Sequence, residues 1–294
     1  MVFRSLPAVK FALLGVCLPM FVFAGRFSNP EIKTVRVALC QIICLDGDRS
    51  GNLARIENAL QEANKAKADI ACFPETALLG WVNPDAHSRS YPIPGRDSDL
   101  LCRLAEKYDI HLCIGLAEKE GKWLYDSVVL IDNEGQILCK HRKINVLTEL
   151  MTPPYTPGKD VQVTKTKFGK IGLLICADTF KTDILDRMGA HNPALVLVPY
   201  GWAAIEEQWP DHGKELHQTV SEAARIIGAP VVGTDLVGEI THGPWTGMTY
   251  GGQSVAVDSH GNMIALAKDR DREVLVVDIV LDGDGQSHKI CSFE

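Results

Sequence analysis

The sequence contains no C-x-x-C pair, no H-E-x-x-H segment and no G-x-S-x-G segment. The first absence removes the common redox and zinc-ribbon signatures, the second a zinc-protease helix, and the third the nucleophile turn of serine hydrolases. A basic patch is also missing, and 37 acidic against 30 basic residues leave a net charge of −7. Neither nucleic acid nor an anionic membrane surface is therefore an expected partner. The nine histidines are scattered, and His212 and His217 read as loop and helix-surface residues rather than metal ligands. No repeat, low-complexity tract or linker-like stretch interrupts the chain. What remains is ample for a large core: 294 residues, 46% apolar and 23% charged, are ordinary values for a soluble globular protein.

The N-terminus stands apart. Arg4 and Lys10 precede an apolar run from Phe11 to Ala24, and the first acid is Glu31. A basic start, a short apolar centre and Val22-Phe23-Ala24 at its end form the pattern of a secretory signal cleaved after Ala24. The run is short for a membrane span. Residues 1–24 are thus expected to be a signal peptide, with export to a periplasmic or extracellular space. The alternatives are a membrane anchor over residues 11–24, or a cytoplasmic protein whose start is assigned too early. Eight cysteines follow Cys17. Most sit in apolar, strand-like runs, so buried thiols and few or no structural disulfides are expected.

From residue 31 onward, strands alternate with helices. Val35 to Ile43, Asp69 to Phe73, Ile110 to Leu116, Lys170 to Cys176, Ala194 to Pro199, Pro230 to Thr234, Ser254 to Asp258, Met263 to Ala267 and Glu273 to Val280 read as strands. Hairpins are expected over Trp123 to Lys143 and around Phe168-Gly169. Helical spacing marks residues 51–67, a segment capped by Asp97 or Ser98 running to Tyr108, one beginning at Asp178 or Thr179 and running to Met188, and Glu215 to Ile227. One α/β domain over residues 31–294 is predicted, with helices covering the outer faces of apolar sheets.

Three segments carry chemistry. In Gly169 to Asp178, an apolar run ends in Cys176 just before a turn whose N–H groups favour negative charge, which suits a thiolate or an oxyanion. In Phe73-Pro74-Glu75 a strand ends in a carboxylate, and Lys140-His141-Arg142-Lys143-Ile144 is a basic cluster closing another strand. Each has a plainer reading when seen alone: a core thiol, a solvated loop acid and a charged sheet edge.

Taken together and in this order, D-I-A-C-F-P-E, H-R-K-I and L-L-I-C-A-D resemble the nitrilase superfamily of carbon–nitrogen hydrolases. The 33-residue interval from Lys143 to Cys176 is typical of that family. Tyr125-Asp126-Ser127 is similar to its Tyr-Asn-Ser strand, with aspartate in place of the usual asparagine. Tyr155-Thr156-Pro157-Gly158 and Gly252-Gln253-Ser254 also resemble family segments. The resemblance covers about residues 34–281.

This resemblance implies a four-layer α-β-β-α sandwich and a homodimer or larger homo-oligomer. It implies a thiol hydrolase that cleaves a non-peptide amide or N-carbamoyl compound through a Cys176 thioester. Glu75 would be the base, and Lys143 with the Ala177 N–H the oxyanion stabilisers. The family's second, substrate-orienting glutamate falls to Glu149, the only glutamate between Lys143 and Cys176. No metal or organic cofactor is implied. Asp178 reads mainly as a helix cap, and Tyr200 and Trp202 as pocket walls. Nitrile hydrolysis is the second enzymatic reading, and an inactive member serving as a binding or scaffold protein is the reading from another class. Ala177 departs from the bulky aromatic that often follows the cysteine, and Cys176-Ala177-Asp178 sits nearer the amidase branch than the Cys-Trp-Glu of nitrilases.

Overall fold

The computed structural model describes Val2 and residues 33–281; apart from Val2, the expected signal segment lies outside them. In chain order the elements are β1 (Lys33–Gln41), α1 (Arg49–Lys65), β2 (Ile70–Cys72), α2 (Ala86–Arg89), α3 (Arg96–Lys107), β3 (His111–Glu120), β4 (Trp123–Ile131) and β5 (Ile137–Arg142). They continue as β6 (Gln162–Thr166), β7 (Gly169–Leu173), α4 (Thr182–Gly189), β8 (Leu195–Pro199), β9 (Ala203–Ala204), α5 (Asp211–Ile227), β10 (Val231–Thr234) and β11 (Val237–Glu239). The last are β12 (Thr249–Gly251), β13 (Val255–Val257), β14 (Met263–Leu266) and β15 (Glu273–Leu281).

Two six-stranded sheets dominate, ordered β15-β1-β2-β3-β4-β5 and β14-β13-β10-β8-β7-β6. Each has a parallel centre, β1-β2-β3 in one and β7-β8-β10 in the other, with antiparallel strands on both sides. The two-residue period of a strand explains the layering. On β1, Val35, Val37 and Leu39 join one core cluster with strands β7, β8 and β10 and the inner faces of α4 and α5. The intervening Ala38 and Cys40 join a second cluster with Ile56, Ala59, Leu60 and Ala63 of α1 and Leu101 and Ala105 of α3. One strand therefore buries both faces, and the order of layers is helices, sheet, sheet, helices, the α-β-β-α sandwich.

Local chemistry sets the boundaries. Asp48 caps α1 by accepting from the Gly51 N–H at 3.0 Å. The cap of α3 is Gly95 rather than Asp97 or Ser98: the Ser98 hydroxyl takes up the Gly95 N–H from the third helical position, while Asp97 is buried against Arg49 at 3.1 Å. Beyond Leu173 the chain does not enter a helix at Asp178; a 3-10 turn covers Cys176–Phe180 and α4 starts only at Thr182. Helix α5 begins at Asp211, one turn earlier than the spacing of its apolar face shows.

A third apolar cluster, with Leu79, Trp81, Val82, Met151, Tyr155, Leu236 and Tyr250, gathers loops beyond the strand ends. The short sheet β11-β12-β9 belongs to this region. All seven described cysteines are free thiols.

Candidate active site

Glu75 follows β2, Cys176 follows β7 and Lys143 follows β5. Carboxyl ends of parallel strands are where α/β sheets place their sites. The three side chains are almost sealed from solvent, at 0% exposure for Glu75, 5% for Lys143 and 4% for Cys176. Lys143 Nζ lies 2.5 Å from Glu75 Oε1 and 3.3 Å from Asp126 Oδ2. Burial works against the ammonium charge, but Glu75, Asp126 and Cys176 outweigh it and hold Lys143 well above the usual lysine range. The lysine therefore stays protonated, and a buried ion pair neutralises Glu75.

The Glu75 turn is set by close backbone approach. A methyl group on Gly115 of β3 would come within 2.6 Å of Glu75 Cα and 2.7 Å of Thr76 N. Only glycine permits the pairing of Gly115 N–H with Pro74 O at 3.0 Å and of Ala77 N–H with Gly115 O at 3.0 Å. The Glu75 N–H donates to Tyr200 O of the other sheet's strand end at 3.2 Å.

Cys176 has φ of +38°, a left-handed conformation rarely adopted by non-glycine residues and costing of order 1 kcal/mol or more. The Thr179 hydroxyl donates to Cys176 O at 2.7 Å, and the Tyr200 hydroxyl stands 3.0 Å from Thr179 Oγ1. Burial pushes the thiol well above its usual range, and Glu75 adds to this; Lys143 and the Gly201 N–H pull the other way. The resting sulfur is accordingly a thiol, and reaction needs a base beside it.

Asp178 does more than cap a turn. Its Oδ1 accepts from the Ile144 and Asn145 N–H groups, both at 2.8 Å. Its Oδ2 accepts from Ile175 N–H at 3.1 Å and meets His141 Nε2 at 2.8 Å. Asn145 Nδ2 also donates to Ala177 O at 2.6 Å. One fully buried carboxylate thus staples the segment bearing Lys143 to the turn bearing Cys176.

Of the residues singled out from sequence, Glu75, Lys143 and Cys176 come together. Ala177 is fully buried on the same turn. Glu149 does not join them: it is exposed on the 3-10 turn Thr148–Leu150, and the second carboxyl on Lys143 is that of Asp126. Tyr200 is fully buried beneath the cysteine turn rather than lining an open wall. Trp202 is half-buried; its backbone N–H donates to Asp235 Oδ1 at 2.7 Å, and its ring stacks on His212 at 5.2 Å and meets Phe180 edge-on at 5.8 Å. Sequence reasoning missed the His141–Asp178 staple, the Gly201 N–H and the part played by Asp126. The one visible signal was aspartate in Tyr125-Asp126-Ser127. Among the described residues no group of three or more His, Cys, Asp or Glu side chains is placed to hold a metal ion.

An α-β-β-α sandwich with a buried glutamate–lysine pair beside a cysteine on a strained turn defines the nitrilase-superfamily class. The sequence profile of the Carbon-nitrogen hydrolase family matches residues 36–287, and the chain belongs to that family. An (R)-stereoselective amidase from Pseudomonas sp is 25% identical over 250 residues, covering 83% of this chain and 85% of that protein. The bifunctional nitrilase/nitrile hydratase NIT4B of Nicotiana tabacum is 29% identical over 178 residues, covering 54% of this chain and 51% of its own length. The chain therefore spans about half the length of the nitrilases it matches. A cysteine-to-alanine mutant of the Nesterenkonia AN1 amidase superposes with a TM-score of 0.74 at 23% identity, covering 87% of this chain and 94% of that one. A carbon-nitrogen hydrolase from Helicobacter pylori G27 superposes with a TM-score of 0.73 at 22% identity, covering 84% and 89%. In another structure of the Nesterenkonia amidase, a mutant matching with a TM-score of 0.72 at 22% identity, the acetamide moiety of fluoroacetamide is covalently attached to the active-site cysteine.

Proposed function

We propose that this carbon–nitrogen hydrolase is an amidase: it cleaves a linear, non-peptide amide or N-carbamoyl compound to an acid and ammonia or an amine, by way of a Cys176 thioester. The observation that carries the reading is the contact of Lys143 with Glu75 beside the buried Cys176 on a strained turn. Glu75 takes the thiol proton as sulfur attacks the carbonyl carbon. Lys143 and the Ala177 N–H stabilise the oxyanion. When the C–N bond breaks, Glu75 returns the proton to the leaving nitrogen, and ammonia or amine departs. Glu75 then deprotonates a water that attacks the thioester, and the thiol is restored as the acid leaves. The amidase relative matched over most of both chains favours amides over nitriles, whereas the nitrilases match over about half. By family resemblance we also propose assembly as a homodimer or larger homo-oligomer.

The test is an ammonia-release screen over primary amides, N-carbamoyl compounds and nitriles, with Cys176→Ala as control. Release from amides or carbamoyl compounds that disappears in the variant is expected. Release from nitriles alone would replace the reading with nitrile hydrolysis, and no release from any compound would favour an inactive binding protein.

A further inference from the structure

We propose that Asp126 is a positioning residue that acts through Lys143: it shares the ammonium with Glu75, holds a proton in the resting site, and on losing that proton draws the lysine away from the thiol. The inference rests on reading Lys143 and Cys176 as the reacting neighbours of the proposed amidase.

Three buried carboxyls in this region show why Asp126 differs. Glu118, 1% exposed, is met by Lys140 Nζ at 2.5 Å, Arg142 Nη2 at 2.7 Å and the Ser127 hydroxyl at 2.6 Å. Asp178, 0% exposed, takes three backbone N–H groups and His141. Both are matched to a full negative charge. Asp126 is equally buried, at 1%, yet no backbone N–H or hydroxyl donates to it, and the polar groups it meets are the Lys143 ammonium and the Glu75 carboxyl. Its one cation is Lys143 at 3.3 Å, which Glu75 already holds at 2.5 Å. A single ammonium cannot neutralise two buried carboxylates, so one carboxyl keeps its proton.

The groups that face Asp126 are Glu75 from the turn after β2, Lys143 from the end of β5 and Tyr155 from the loop beyond it. Its register partner on β3 is the uncharged Ala117. The ammonium lies closer to Glu75 than to Asp126, and burial first, then the Glu75 charge, push Asp126 well above the usual carboxylate range, so the proton resides on Asp126. Asp126 also fixes the lysine through its main chain, its carbonyl accepting the Lys143 N–H at 2.8 Å. As pH rises, solvent base removes the Asp126 proton. The new carboxylate then competes with the thiolate, or with an oxyanion, for the same ammonium.

Alkylation of Cys176 by iodoacetamide, followed by peptide mass between pH 6 and 10, tests this without any knowledge of the substrate. In Asp126→Asn, an isosteric change, the lysine stays directed at the thiol, so the midpoint of the rate–pH curve is expected about one unit lower than in the wild type. The two melting temperatures should match. If Asp126→Asn gives no soluble protein, Asp126→Ser is measured in the same way. Curves that coincide within about 0.3 unit, or a midpoint that rises, would overturn the proposal, as would a Cys176 that is not alkylated at any pH. A lowered midpoint in a protein that releases no ammonia from any amide upholds the role of Asp126 and removes only the amidase reading.

Discussion

Glu75 raises the cost of ionising Cys176, because a thiolate would form beside its charge in a dry space. Glu75 is among the groups that hold the thiol up, and Lys143 opposes it. The consequence is specific. Replacing Glu75 with glutamine removes the base but also removes a negative charge near the sulfur. Turnover in Glu75→Gln should fall by about 10² or more, while iodoacetamide still modifies Cys176, with its rate–pH midpoint shifted to lower pH. Parallel ammonia-release and alkylation assays on this variant check both halves. Equal loss of both would mean that Glu75 serves packing rather than proton transfer. Sequence showed this residue pair only in part. Glu75 and Lys143 stood out as polar ends of apolar strands, whereas Glu149, expected to orient substrate, lies exposed. The second carboxyl on Lys143 is that of Asp126, buried within the Tyr125-Asp126-Ser127 segment. Which face of β4 meets the Glu75 turn depends on how distant strands pair, and a local pattern does not encode that.

At the level of elements, the site depends on a joint between the end of β5 and the turn after β7. Asp178 makes that joint with acceptor bonds to Ile144, Asn145 and Ile175 and with its contact to His141. Asp178→Ala would strand buried N–H groups and a buried histidine together. Each buried donor left without an acceptor costs about 1–3 kcal/mol, so a sharp fall in melting temperature is expected. Asp178→Asn keeps an acceptor oxygen and the shape, and should lose less stability. Thermal unfolding of both variants checks this order, and an unchanged melting temperature in Asp178→Ala would show that the joint is not under tension from those groups. The acid two residues past the cysteine looked like an ordinary helix cap in sequence. It does cap, taking the Ile175 N–H, but on a 3-10 turn over Cys176–Phe180 rather than on α4, and the other groups bound to Asp178 come from a segment more than 30 residues earlier.

Across the whole molecule, the strands were the most legible part of the sequence. Runs such as Val35 to Ile43 and Ala194 to Pro199 are apolar on both faces, which predicts sheets covered on both sides, and the sandwich covers them in that way. The fold then places three strand ends from two sheets around one buried point. The reaction proposed for that point makes a covalent intermediate, and its mass is the most direct test. An amide that gives ammonia in the screen is mixed with the protein, quenched in acid within the first turnovers, and weighed as the intact chain. A gain equal to the amide minus ammonia is expected, located on Cys176 by peptide mapping and absent in Cys176→Ala. Hydrolysis at an undiminished rate by Cys176→Ala, or an acyl group mapped to another residue, would contradict it.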